Sequence, residues 1–159
     1  MRVKKIAIIF VLIVSSFVPL SLGAQMAGAL GAPDAITEEE VRQFIDKYVD
    51  RYKAMDIDLF MELFSRKGVE NRMLPYADIR ASYRETFAWS NQFLYHLTIY
   101  SIQTYTQRAF VTGRYKMIQT HKQGNKMIIF QGNIQWDLVR EEGSLKIREI
   151  NYGRNRGAY

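Results

Sequence analysis

Two periodicities divide the chain. Up to Trp89 the apolar residues recur every three or four positions, and from Leu94 onward they alternate with a period of two. In the first part, Val41, Phe44, Ile45, Tyr48, Val49 and Tyr52 form one apolar stripe, which predicts an amphipathic helix. Thr37 followed by Glu38, Glu39 and Glu40 fits a capping box at its start, with acids at the positive end of the helix dipole. Asp56 and Asp58 open a second, short helix through Leu59, Phe60, Leu63 and Phe64, closed by Gly68, with a short strand between Val69 and Leu74. Pro75 opens a third helix in which Ile79, Tyr83 and Phe87 recur every four residues, and Ser90-Asn91-Gln92 stops it.

The second part reads as four strands: Leu94 to Tyr105, Ala109 to Gln119, Lys126 to Arg140 and Leu145 to Tyr152. The last two form a hairpin about Glu142-Gly143, a two-residue turn related to Asp-Gly. That corner sets Arg140 against Leu145, Leu138 against Ile147, Trp136 against Glu149 and Ile134 against Asn151. On the opposite face it sets Val139 against Lys146 and Asp137 against Arg148. Across the middle turn, Lys122 to Asn125, the expected pairing places Gly113 opposite Gly132, where two missing side chains would let the sheet bend sharply. The fold class is therefore α+β: three N-terminal helices packed on a strongly curved antiparallel sheet.

Ahead of this domain the pattern changes again. Arg2, Lys4 and Lys5 precede an apolar run from Ile6 to Leu22, and small residues follow at Gly23, Ala24, Ala27, Gly28 and Ala29. That is the layout of a secretory signal peptide, with cleavage after Ala24 or Ala29. The competing reading is a membrane anchor, but the run is at the short limit for a span and contains Pro19 and two serines. The expected organisation is a leader at 1–24, a linker at 25–36, one domain at 37–153 and a tail at 154–159, in a periplasmic or secreted protein of the cell envelope. The formal charge is +6, from 22 basic and 16 acidic residues. Three of the basic residues and no acid lie in the leader, so the chain without its leader carries +3, too little to argue for nucleic acid. The chain has no cysteine, which excludes disulfides, thiolate metal sites and a cysteine nucleophile.

The order of helices and strands, together with several local motifs, resembles the nuclear transport factor 2-like (SnoaL-like) superfamily. The motifs are Tyr48-Val49-Asp50-Arg51-Tyr52 before Asp56-Ile57-Asp58, Leu63-Phe64-Ser65 leading to Val69-Glu70-Asn71, and Ile79-Arg80-Ala81-Ser82-Tyr83. Val111-Thr112-Gly113-Arg114-Tyr115 and the closing Trp136, Leu138-Val139-Arg140-Glu141 and Gly143 with Lys146-Ile147-Arg148 complete the set, which spans about residues 38–152. The resemblance implies a cone-shaped, cystatin-like α+β barrel, a pocket between sheet and helices, and homodimerisation through the outer sheet face. Some members are isomerases, cyclases or dehydratases, and others bind or scaffold. Where the isomerases place an aspartate base this chain has Asn71, and a carboxamide takes no proton at neutral pH.

Candidate chemistry follows from the register. Glu149 and Asn151 fall on the apolar face beside Trp136 and Ile134, unless a bulge turns them to solvent. His96 has a facing that depends on the length of the first hairpin turn, whereas His121 sits at a turn and is expected to be exposed. The pocket candidates are Tyr48, Tyr52, Asn71, Trp89, Tyr100, Tyr115, Trp136, Glu149 and Asn151. The expected function is binding of a small apolar or amphipathic molecule, or scaffolding as a homodimer. The alternatives are a cyclase, dehydratase or isomerase using His96 with Glu149, and a protein-interaction module. No metal or cofactor signature is present, no nucleic-acid partner is expected, and membrane contact is expected only through an uncleaved leader.

Overall fold

The computed structural model describes residues 35–153 and 155–158, so the expected leader and nearly all of the linker lie outside the described residues. Helix α1 spans Glu38–Ala54, capped by Thr37, whose hydroxyl accepts from the Glu40 N–H at 3.1 Å. The Glu40 side chain does not reach back to the cap. It receives a bidentate pair from Arg140, both contacts at 2.7 Å, which ties the start of α1 to the sheet. Helix α2 covers only Ile57–Met61 behind an Asp56 cap, and α3 covers Tyr76–Trp89.

Leu63 and Phe64 continue the helical spacing in sequence but not in structure. The Leu63 carbonyl accepts from Ile147 N–H at 2.7 Å, and strand β1, Phe64–Glu70, then pairs in parallel with β6, Ser144–Tyr152. Tertiary pairing outweighs the local helical pattern here. Strand β2 is the short segment Leu74–Pro75, joined to β1 by a turn with Asn71 and Arg72 in the left-handed region.

The long strands are β3 (Ser90–Thr104), β4 (Arg108–His121) and β5 (Met127–Glu141). The strand order is β2-β1-β6-β5-β4-β3. Because β1 and β6 are parallel, the sheet is mixed rather than purely antiparallel, and it is open rather than closed into a barrel. Asn155–Ala158, expected as part of a tail, form β7, which pairs with Ile128–Gln131 and continues the β6 register along β5.

The β5–β6 hairpin turns at Glu142 and Gly143, both with positive φ, as a two-residue primed turn requires. Its register follows the expectation from Glu141 to Leu138 and then shifts. Leu138 faces Ile147, but Asp137 faces Glu149, Trp136 faces Ile150 and Ile134 faces Tyr152. The extra residue is Arg148, so this bulge exchanges the faces of everything after it. Asp137 consequently does not pair with Arg148. It is held by the Arg108 guanidinium through two contacts, and Arg148 donates instead to the Lys67 carbonyl.

The β4–β5 pairing is displaced by two residues from the expectation, which keeps the faces but changes the partners. Tyr115 faces Gly132 and Gly113 faces Ile134. A symmetric four-residue loop, Lys122–Asn125, closed by His121 N–H to the Lys126 carbonyl, sets this register. Gly113 is needed for another reason: a Cβ there would lie 2.6 Å from the Thr98 carbonyl oxygen, beside the β3 bulge at Tyr100.

The helices cover one face of the sheet. Tyr48, Tyr52, Phe60, Tyr83, Phe87 and Phe93 form an aromatic core with edge-on contacts, such as Tyr52 to Phe93 at 4.9 Å between centroids. Edge-on rings are favoured because positive ring edges meet negative faces.

Candidate functional site

A cavity of about 460 Å³ opens between α1, α3 and the inner sheet face. The helical spacing of four puts Tyr48 and Tyr52 of α1 on one side, and Tyr83 of α3 joins them. The strand spacing of two brings Tyr115, Met117, Gln119 and His121 of β4 to the same face, with Tyr95 of β3 next to them. Ile128, Phe130 and Ile134 of β5 and Tyr152 of β6 complete the sheet wall. Ser82, Glu85, Trp89 and Lys126 are the exposed members and mark the opening.

The inner lining is apolar apart from tyrosine hydroxyls and Gln119, and the charged and titratable residues Glu85, His121 and Lys126 lie toward the opening. Burial pushes the Tyr48 and Tyr83 hydroxyls well above the usual tyrosine range. It raises Tyr95 as well, against an opposing hydrogen bond with Tyr48. These groups are neutral donors and acceptors, not nucleophiles. Tyr115 is fixed by donating to the Gly153 carbonyl at 2.9 Å. Gln119 is fixed by donating to Ser90 Oγ at 2.8 Å.

At the back of the cavity stands a carboxyl that strand alternation, with Asn71 facing the pocket, would turn outward. Glu70, 1% exposed, accepts a hydrogen bond from the Tyr152 hydroxyl, and Tyr152 lines the cavity. Its neighbour Asn71 was expected to face the pocket. With φ of +49° Asn71 leaves the strand conformation, and its side chain accepts from Tyr152 N–H at 2.8 Å. It is a turn residue holding β6, and the inward position belongs to Glu70.

Of the other expected pocket residues, Tyr48, Tyr52, Trp89 and Tyr115 line the cavity. Trp136 is on the inner face but lies behind Tyr48, edge-on at 5.7 Å, and is core rather than lining. Tyr100 occupies the β3 bulge and is 61% exposed. Glu149 and Asn151 are turned away from the cavity by the Arg148 bulge and bond each other at 2.7 Å, with Arg72 3.9 Å from Glu149. His96 faces outward opposite Lys116: the two-residue β3–β4 corner, Thr106 and Gln107, would alone set it against the inward-facing Met117, and the bulge at Tyr100 reverses that facing. A His96–Glu149 acid–base pair is therefore not formed. The two stand on β3 and β6 with two strands between them, and neither lines the cavity.

His121 is the converse case. Expected to be exposed, it continues the inward series Tyr115, Met117, Gln119 and lines the cavity. Counting that series two residues further would have found it, and the same parity from Phe93 would have found Tyr95. Among the described residues no group of three or more His, Asp or Glu is arranged to hold a metal ion. None of the described helices is long and apolar enough to cross a membrane.

No family model and no curated protein matches the sequence. Solved structures do match in shape. A nuclear transport factor 2-like superfamily protein from Salmonella enterica serovar Typhimurium superposes with a TM-score of 0.64 at 15% identity, covering 73% of this chain and 89% of that one. A ketosteroid isomerase-like protein from Erwinia carotovora atroseptica gives 0.62 at 17% identity, over 75% and 98% of the two chains. A hexachlorocyclohexane dehydrochlorinase of type 2 gives 0.64 at 8% identity, over 76% and 87%. At these identities the similarity establishes the architecture and leaves the chemistry to the site.

Proposed function

The chain has the nuclear transport factor 2-like fold, and from that premise we propose that it is an exported protein that binds a small amphipathic molecule in the cavity between helices and sheet. The observation that carries this reading is the cavity of about 460 Å³, open at one end and lined by six tyrosines with Met117, Ile128, Phe130 and Ile134. Such a volume suits a single small ligand, and mostly apolar walls with a few convergent polar groups are the usual form of such sites. Neutral tyrosine hydroxyls recognise carbonyl or hydroxyl groups without requiring a charge.

Native mass spectrometry of the purified protein tests the reading. A bound species of small-molecule mass, lost in a Met117→Trp variant that still folds, is the expected result. Protein mass alone, together with failure of 8-anilinonaphthalene-1-sulfonate to bind, would oppose it.

A second reading has one observation in its favour: the hydrogen bond from cavity-lining Tyr152 to buried Glu70. In a turnover-competent state Glu70 would carry a proton and donate to the Tyr152 oxygen, leaving the Tyr152 hydroxyl free to donate to a docked carbonyl and so ease proton loss at an adjacent carbon. Under that reading Glu70→Gln removes turnover of a bound carbonyl compound while leaving its binding measurable. Under simple binding the variant has no turnover to lose.

We propose also that the outer sheet face forms a two-fold contact between copies. Thr112, Arg114, Gln131, Asn133 and Gln135 lie on that face, together with the Asp137–Arg108 pair.

A further inference from the structure

Resting on the ligand-binding reading, we infer that the molecule held in the cavity carries one acidic group, seated at the opening between His121 and Lys126. The His121 N–H donates to the Lys126 carbonyl at 2.9 Å, one step beyond the Thr120–Met127 pair. The two residues are thus direct cross-strand neighbours, and both line the cavity, so they share its face. Side chains so placed have Cβ atoms about 5 Å apart, close enough for the Lys126 ammonium and an imidazole N–H of His121 to reach one group. An anion between them accepts from both. Among the described residues, neither side chain has a hydrogen bond or ion pair that would satisfy it otherwise.

The rest of the cavity sets the orientation. Its inner end presents neutral tyrosine hydroxyls and the Glu70 carboxyl behind Tyr152, with no cation among the lining residues there. An acidic group finds no positive partner at that end. Lys122, in the same loop, ties the opening to α3 by its backbone N–H bond to the Trp89 carbonyl at 2.9 Å. Glu85 on α3 is the acidic residue of the lining, and it limits the total negative charge the opening accepts. The chemistry that fits is a monoacid with an apolar or aromatic body: body inward against the tyrosines, carboxylate outward.

Calorimetric titration with a matched pair of probes, 2-naphthoate and 2-naphthylmethanol, separates this inference from its parent. The expected result is an acid-over-alcohol affinity ratio of about tenfold or more, the factor a charge-assisted hydrogen bond supplies. In a His121→Gln, Lys126→Met double variant the ratio falls to about one, and in Glu85→Gln it rises. The ratio is the readout because any general loss of binding cancels in it. Equal affinity for the two probes in the unmodified protein, or an acid preference that survives the double variant, overturns the acidic-ligand inference while leaving the cavity reading intact. Failure of both probes to bind removes the cavity reading and this inference with it.

Discussion

Trp136 offers the sharpest separation between core and site. It is 1% exposed, lies between Val111 and Ile150 on the neighbouring strands, and meets Tyr48 edge-on at 5.7 Å. Trp136→Ala removes a fully buried indole behind a tyrosine that itself lines the cavity. Large-to-small aromatic truncations of this kind cost about 3–5 kcal/mol, including the void left behind. For a domain of this size each kcal/mol lowers the melting temperature by roughly 3–5 °C, so a fall of about 10–20 °C is expected. Trp136→Phe should cost much less, about 1–2 kcal/mol, for a specific reason. The indole N–H has no hydrogen-bond partner among the described residues, so its removal breaks no bond. Urea unfolding of the three proteins, followed by far-ultraviolet circular dichroism, gives both differences. An alanine variant within about 1 kcal/mol of the parent would refute the burial argument. A phenylalanine variant as damaged as the alanine one would show that the N–H is bonded after all.

Other consequences are simpler to state. Tyr48, Tyr83 and Tyr95 have folded-state pKa values raised by burial above that of a free tyrosine, so the folded state holds these protons more tightly. Their stabilisation is complete below pH 10 and is lost as pH rises beyond it, by up to about 1.4 kcal/mol per pH unit for each tyrosine; an alkaline melting series without steepening above pH 10 would contradict this. Glu149→Gln and His96→Gln should alter neither ligand occupancy nor ligand affinity, because both side chains lie off the cavity; a lost ligand in either variant, seen by native mass spectrometry, would require a different site. Sedimentation at micromolar concentration should show a dimer that Arg114→Glu weakens, and a monomer at every concentration would remove the outer-face contact. N-terminal sequencing of protein from the cell envelope should begin between Ala24 and Leu30, and recovery of Met1 would indicate an anchored leader instead.

The chain announces its architecture through periodicity and conceals its site through irregularity. The stripe from Val41 to Tyr52 and the Glu142-Gly143 corner lead directly to α1 and the final hairpin, because local spacing and turn chemistry decide both. Tyr48, Tyr52 and Tyr115 could be placed on the concave side for the same reason. Glu149 and Asn151 could not, since one extra residue at Arg148 reverses their face and nothing local marks the bulge. Glu70 and Asn71 exchanged roles because a left-handed Asn71 ends the strand alternation. Leu63 and Phe64 kept a helical spacing that the edge of β6 overrode by demanding a strand. Each departure comes from pairing between distant segments, which a single sequence does not display.

The central claim is that the cavity takes a small molecule, and a fluorescence titration with 8-anilinonaphthalene-1-sulfonate on matched variants meets it most directly. The account predicts saturable binding of one probe per chain to the unmodified protein and to Glu149→Gln. It predicts loss of that binding in Met117→Trp, whose indole would occupy the space beside Tyr115 and Phe130. Undiminished binding to a folded Met117→Trp protein would place the apolar site elsewhere and contradict the account.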